Sequence, residues 1–188
     1  MYMCKYVTPK DLEDMYMISD GKVLTGLLFE NSKDYVRHKA SYEEKELPIF
    51  KKTAKWLDIY FSGKEPDFVP EYAILNSTKF FNDVCSIMLD IPYGKTTSYN
   101  DIAKKIASKY NIPKMSAQAV GGAVGRNPIC IIIPCHRVVG ANGNLTGYGG
   151  GIQKKIKLSE AENIDMSKFT MPKNKEKTVW INKKYMNF

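Results

Sequence analysis

Cys135 and His136 stand side by side in the run Pro134-Cys135-His136-Arg137-Val138, directly behind the apolar stretch Ile129-Cys130-Ile131-Ile132-Ile133. A thiol attacks as its thiolate, and a cysteine enclosed by isoleucines keeps its proton unless a base or a cation offsets the burial. His136 offers the base and Arg137 the cation, so the run has the composition of a buried, activated nucleophile. The alternative is a small apolar filler, the commonest use of a buried cysteine. Cys4, Cys85 and Cys130 have neither an adjacent histidine nor dense basic company, and they read as such fillers.

The thiol must be delivered to the rim of a core. Ile129 to Ile133 is rich in β-branched residues and is expected as a fully buried strand, with Pro134 ending its ladder by removing a backbone donor. Upstream, Ser98 can cap a helix from Tyr99 through Ala107 with Ile102, Ala103 and Ile106 on its apolar side; Asn111 and Pro113 break it. Ser116 can then start a second helix, Ala117 to Val124. Gly121 and Gly122 within it each cost up to about 1 kcal/mol relative to alanine. Either close approach to a duplex backbone or tight packing against the Ile129–Ile133 run would offset that cost. Lys95, Lys104, Lys105, Lys109, Lys114 and Arg126 surround the helix pair with Asp101 in opposition, which suits phosphate neutralisation and equally suits a solvated face.

In the first half, Met15–Ser19 and Val23–Phe29 flank Asp20-Gly21, a hairpin signal. Phe50, Ala54, Leu57 and Phe61 recur at helical spacing, with Gly63 just beyond. Pro66 and Pro70 mark a linker, and Phe80, Val84, Ile87 and Met88 give a further helical face. The expected division is 1–77, 78–165 and a basic tail, 166–188, in which Val179-Trp180-Ile181 can form a short strand.

The net charge of +8 favours polyanionic partners, but the tail from Met166 carries six lysines against Glu176, so the other 165 residues carry +3. The tail reads as a solvated end rather than a specific DNA contact. With 44% hydrophobic and 26% charged residues over 188 positions, the chain has an ordinary globular composition. No stretch approaches the roughly 18 consecutive apolar residues of a membrane span, and Met1 to Lys5 lacks a secretory apolar region. An intracellular location is therefore expected, cytoplasmic or, in a nucleated cell, nuclear. Four scattered cysteines do not form a disulfide framework, and with two histidines, His38 and His136, no metal site is expected.

Ile91-Pro92-Tyr93-Gly94, Ser98-Tyr99, Gly121-Gly122-Ala123, Arg126-Asn127-Pro128, Ile133 to Gly140 and Gly147-Tyr148-Gly149-Gly150 together resemble the 6-O-alkylguanine-DNA alkyltransferases, closely from Phe80 to Glu162. The resemblance implies an α/β ribonuclease-H-like N-terminal domain and a mainly α, winged-helix-like C-terminal domain with a helix-turn-helix. It implies a monomer acting on double-stranded DNA that carries alkylated guanine, with 4-O-alkylthymine as a second lesion and no cofactor. By family position, Cys135 accepts the alkyl group, His136 reaches it through a water, Glu162 orients the imidazole, and Asn127 braces the turn. Tyr99 assists base rotation and donates to the guanine ring, the Cys135 and Val138 carbonyls accept from its amino group, Gly149 donates to the 6-oxygen, and Tyr148 walls the pocket. Gln118, Ala119, Gly122, Arg126 and Arg137 fall on the DNA side. Gln118 departs from the pattern, since many relatives place an intercalating arginine there. Cys85 departs as well, standing where relatives often carry tryptophan.

Two other readings share the basic helix pair. A non-catalytic winged-helix DNA-binding protein leaves a buried Cys-His step unexplained, and an alkylation-damage sensor replaces the acceptor cysteine. A cysteine protease is disfavoured because its base usually lies far from the nucleophile in sequence.

Overall fold

The computed structural model describes residues 1–9, 11–32, 35, 42–146, 148, 149 and 151–171. The expected strand Val179–Ile181 and residue His38 lie outside them.

The N-terminal half is built on a four-stranded sheet: β1 (Tyr2–Tyr6), β2 (Met15–Ser19), β3 (Leu24–Phe29) and β4 (Glu43–Glu44), in the order β3-β2-β1-β4. β1 pairs antiparallel with β2 and parallel with β4, and β2 pairs antiparallel with β3. The β2–β3 hairpin turns where Asp20-Gly21 predicts. Asp20 Oδ1 accepts from the Lys22 and Val23 amides at 2.8 and 3.0 Å, and Gly21 takes φ +106°, which a side chain would resist. α1 (Pro48–Phe61) follows, its Pro48 preset for a first helical turn. Its buried face is Ile49, Phe50, Thr53, Trp56, Leu57 and Tyr60, so it is rotated from the expected stripe, and Ala54 and Phe61 are half-buried. That rotation turns Tyr60 inward.

α2 (Lys79–Leu89), capped by Thr78, opens the second half; Phe81 rather than Phe80 is buried on it with Val84, Cys85, Ile87 and Met88. β5 (Thr97–Ser98) leads into α3 (Tyr99–Tyr110), whose first turn is capped by Ser98 Oγ at 3.0 Å from the Asp101 amide. α3 runs one turn past the expected end and stops at Asn111, in the left-handed conformation. α4 (Ala117–Val124) starts at its Ser116 cap, as its sequence predicts. β6 (Val138–Val139) pairs parallel with β5, and α5 (Ile152–Ala161) closes the site. One hydrophobic core runs through both halves, from Met15 and Phe29 to Ile106 and Leu158.

The run Ile129–Ile133 is buried as expected but is not a strand. Ile129 makes a single bridge to Leu27 of β3, held by Leu27 N–H to Pro128 O and Cys130 N–H to Leu27 O. The chain then curls on itself: Ile132 N–H bonds Cys130 O, Ile133 N–H bonds Ile129 O, and Ile131 adopts φ +70°. The cause is Asn127, whose buried side chain supplies the partners a neighbouring strand would have given. Its Oδ1 accepts from Ile129 N–H at 3.0 Å and its Nδ2 donates to Ile133 O at 2.7 Å.

Candidate active site

The loop cinched by Asn127 ends in a short 3-10 turn, Cys135–Arg137, wedged between β6 and α5. Because β6 pairs with β5, the turn is held against the start of α3, which carries Tyr99. Cys135 is 4% exposed, and Asn127 Nδ2 points to its sulfur at 3.1 Å. Asn127 therefore shapes the turn and hydrogen-bonds the thiol together. Hydrogen bonding from the Cys130 thiol, then from Asn127, and the charge of Lys155 hold the Cys135 thiol below its ordinary value against burial, which would raise it.

His136 is fully buried, with Nε2 2.6 Å from Glu162 Oε1. Burial keeps the imidazole below its ordinary value despite that carboxylate, so it is neutral at pH 7. Facing an ionised carboxylate, Nε2 must carry the proton, and Nδ1 is left with the lone pair. Nδ1 is buried and has no hydrogen-bond partner among the described residues. It is the atom able to accept a proton.

Glu162, just past the end of α5, gathers five donors. Oε1 accepts from His136, from Tyr60 Oη at 2.9 Å and from Arg137 Nη2 at 3.0 Å; Oε2 accepts from Arg137 Nε at 2.8 Å and from the Gly94 amide at 3.1 Å. Burial would raise this carboxyl, but the hydrogen bonds and charge around it bring it down to about 2. The hydrogen bond from His136 is the first of these lowering influences and Arg137 the next; with His136 neutral, the permanent charge among them is that of Arg137. Arg137 thus corrects its expected place on the DNA side. Its guanidinium clamps Glu162, donates to Ile91 O at 2.7 Å and stacks on Tyr93.

Lys155, on α5, is fully buried and escapes notice in the sequence. Its Nζ donates to Val138 O and, at 3.1 Å, to Thr146 O. Burial lowers the ammonium to about 8, while the Cys135 sulfur pulls it upward. With Cys135 as a thiol, the charges around it are Arg137 and Lys155 against Glu162, and the surplus positive charge favours the thiolate. The signal for Lys155 is positional: it shares a helical face with the buried Leu158, Ser159 and Glu162. Tyr60, 102 residues before Glu162, leaves no such trace.

Tyr99 is buried, and its hydroxyl donates to Thr146 O at 2.9 Å. The Val138 carbonyl, expected to meet a purine amino group, takes Lys155 and keeps a second lone pair. A cavity of about 830 Å³ opens beside this cluster, lined by Gly121, Gly125, Tyr148, Gly149 and Gly151, with Leu12 and Glu13 of the N-terminal half as one wall. Tyr148 belongs to both regions, since its buried hydroxyl lies beside Cys130 and Cys135. Gly147 and Gly150 of the same loop lie outside the described residues.

On the outer face, Gln118, Ala119, Gly122 and Arg126 are exposed along and just past α4. A Cβ on Gly122 would meet nothing within 4 Å, and one on Gly121 would touch the Tyr99 ring at 3.8 Å, an ordinary contact. Packing inside the molecule therefore does not require either glycine. Acid opposes the surrounding lysines more than the sequence suggests, because Asp83 takes Lys109 and Lys79 at 2.6 and 3.1 Å, and Asp101 takes Lys104. Among the described residues, no group of three or more His, Cys, Asp or Glu side chains is placed to hold a metal ion.

Residues 2–71 match the family profile described as the ribonuclease-like domain of 6-O-methylguanine DNA methyltransferase, and residues 79–164 match its DNA-binding domain. The methylated-DNA–protein-cysteine methyltransferase of Haemophilus influenzae is 36% identical over 83% of this chain and 84% of its own. That of Methanosarcina acetivorans is 37% identical over 86% and 98%. Among solved structures, Mycobacterium tuberculosis OGT in complex with DNA superposes with a TM-score of 0.73 at 35% identity, covering 90% of this chain and 95% of that one. On these matches and on the geometry of its buried thiol, the chain belongs to the 6-O-methylguanine DNA methyltransferase family.

Proposed function

We propose that this protein repairs duplex DNA by taking the alkyl group of 6-O-alkylguanine onto Cys135, with 4-O-alkylthymine as a second substrate. The lesion's 6-oxygen lies in the duplex interior, so the base must leave the stack and enter the cavity beside Tyr148 and Gly149. The Cys135 proton passes by way of water to His136 Nδ1, and Glu162 stabilises the imidazolium that forms. The thiolate attacks the alkyl carbon in line: the S–C bond forms as the C–O bond breaks, and the guanine leaves with the electron pair. Tyr99, released from Thr146, donates to the ring nitrogen where the negative charge gathers. The product is a thioether, which no group at the site is equipped to hydrolyse, so each molecule reacts once.

The observation that carries this reading is the charge around the sulfur: the part-buried Arg137 and the buried Lys155 stand against a single buried carboxylate, Glu162, and the surplus positive charge favours an ionised Cys135. A site built to keep a filler cysteine protonated has no use for that arrangement. The open Cβ position of Gly122 supports α4 as the surface that meets the duplex, with Gln118, Ala119 and Arg126 beside it. Intact-protein mass spectrometry after incubation with a 6-O-methylguanine duplex tests the reading. One methyl group on Cys135, absent from Cys135→Ser, is expected; an unmodified protein that still binds the duplex would make it a lesion sensor instead.

A further inference from the structure

The alkyl transfer described above does not use Cys130, which reads in the sequence as an apolar filler. The backbone fixes this residue from both sides. Its N–H donates to Leu27 O of β3 at 2.9 Å, and Ile132 N–H folds back onto its carbonyl at 2.9 Å through the left-handed Ile131. The fold-back brings the Cys130 sulfur within 4.0 Å of the Asn127 carbonyl. The amide of that same asparagine holds the Cys135 sulfur at 3.1 Å. Two buried sulfurs therefore meet one residue, Cys130 at its backbone carbonyl and Cys135 at its side-chain amide, and the buried Tyr148 hydroxyl lies beside both.

The Cys130 thiol has a single proton, and among the groups it can reach are Asn127 O, at the outer limit for a sulfur hydrogen bond, the Cys135 sulfur and the Tyr148 hydroxyl. A neutral thiol is a weak acceptor. A thiolate is a strong one, because hydrogen bonds to an ionised partner are roughly twice as strong as neutral ones. We propose that the Cys130 thiol turns its proton onto the Cys135 sulfur as that sulfur ionises, making Cys130 a tuning residue that keeps the alkyl acceptor available as its thiolate near neutral pH. The proposal rests on Cys135 being the nucleophile. Hydrogen bonding from Cys130 is also the leading influence among those that lower the Cys135 thiol.

The other groups facing Cys135 do not duplicate this role. Lys155 of α5 contributes charge from a distance, and Asn127 contributes a neutral donor. Tyr99 of α3, Tyr148 of the glycine loop and Cys85 of α2 all keep their protons, since burial raises each of them, Cys85 to about 12. His136, next in the chain, is neutral.

The test is the pH profile of Cys135 alkylation by iodoacetamide, read at that residue by mass spectrometry, in the native protein, C130A and C130S. Loss of one weak hydrogen bond to an ionised group raises the midpoint in C130A by about one pH unit. A thiolate of higher pKa is also intrinsically more nucleophilic, so the two profiles cross: C130A is about threefold slower at pH 7 and about threefold faster on the alkaline plateau. C130S, which keeps a donor, returns the midpoint toward the native one. Crossing profiles with serine rescue support the proposal. A parallel fall at every pH, an unmoved midpoint, or a serine variant that behaves like alanine overturns it. Methyl transfer from a duplex is measured alongside in native protein; its failure would overturn the repair reading, while the iodoacetamide profile would still decide what Cys130 does to the sulfur.

Discussion

Replacing Arg137 with methionine should destabilise the protein by about 2–3 kcal/mol while leaving its attraction for DNA nearly unchanged. The guanidinium gives two hydrogen bonds to Glu162 and one to Ile91 O, and methionine keeps an apolar stem against Tyr93 while removing all three. Breaking a buried pair from one side typically costs about 3–5 kcal/mol, because the remaining ion is left uncompensated. Glu162 would still hold His136, Tyr60 and Gly94, which puts the loss at or below the low end of that range. The carboxyl itself gives a second figure: a fall from 4.5 to about 2 corresponds to about 3 kcal/mol, the net of burial, which opposes ionisation, against His136 and Arg137, which favour it. Arg137 shares that stabilisation with His136, which agrees with a loss of about 2–3 kcal/mol rather than the full cost of an isolated buried ion. Its loss should lower Tm by about 5–10 °C for a chain of this length.

The pH dependence gives the sharper test. A carboxyl depressed in the folded state contributes stability that is fully present above its unfolded value of 4.5 and is lost as pH falls toward about 2. The gap between native and R137M protein should therefore be constant near neutrality and close as pH drops through that window. Calorimetric unfolding over a pH series measures it, together with duplex binding over a salt series. A variant as stable as the native protein at pH 7 would refute the reasoning. So would a salt slope reduced by about 0.9, the signature of one lost phosphate contact.

The remaining predictions concern the two faces of the site. Gly122→Ala should raise stability by about 0.5–1 kcal/mol, since the new Cβ enters open space on a helix, whereas Gly122→Leu should fold normally and lose duplex affinity; undiminished binding by the leucine variant would remove α4 from the interface. Gln118→Arg should accelerate methyl transfer from duplex substrate by adding a cation that fills and stacks in the vacated base position, and an unchanged rate would mean that charge there is not limiting. Lys155→Met should raise the midpoint of Cys135 alkylation by removing the facing cation and should leave two carbonyls without their donor; an unmoved midpoint would separate Lys155 from the thiolate.

Features governed by neighbours in sequence are legible from sequence. Asp20-Gly21, Ser98 and Ser116 each act on backbone groups two or three residues away, and the hairpin and the two helix starts fall where those residues put them. The Ile129–Ile133 run shows the limit of such reasoning. Its β-branched composition correctly announces burial, but burial does not dictate extension when a preceding side chain can satisfy the backbone. Asn127 does this, and the run curls. The same curl makes Cys130 a neighbour of Cys135, which a straight strand would not suggest.

Charge is misread from sequence for a related reason. A net of +8 counts every lysine and arginine alike, yet the cations divide into two populations with opposite uses. Arg137 and Lys155 face inward, where Arg137 holds the Glu162 carboxylate and Lys155 the Val138 carbonyl. Nothing local distinguishes them: Arg137 sits in the run Pro134-Cys135-His136-Arg137, and Lys155 lies in the run Lys154-Lys155-Ile156-Lys157, which looks solvated. What separates the two populations is the inward partners, Glu162 for Arg137 and the Val138 and Thr146 carbonyls for Lys155, since a basic residue is drawn inward only where buried anions and carbonyls outweigh the cost of desolvating it. The resemblance placed Glu162 beside His136 but gave no hint that Arg137 would follow it. A charge assigned to the DNA surface from sequence therefore needs a check against every acid its fold can bury nearby, and at this site that check moves one arginine from the expected DNA face to the support of Glu162.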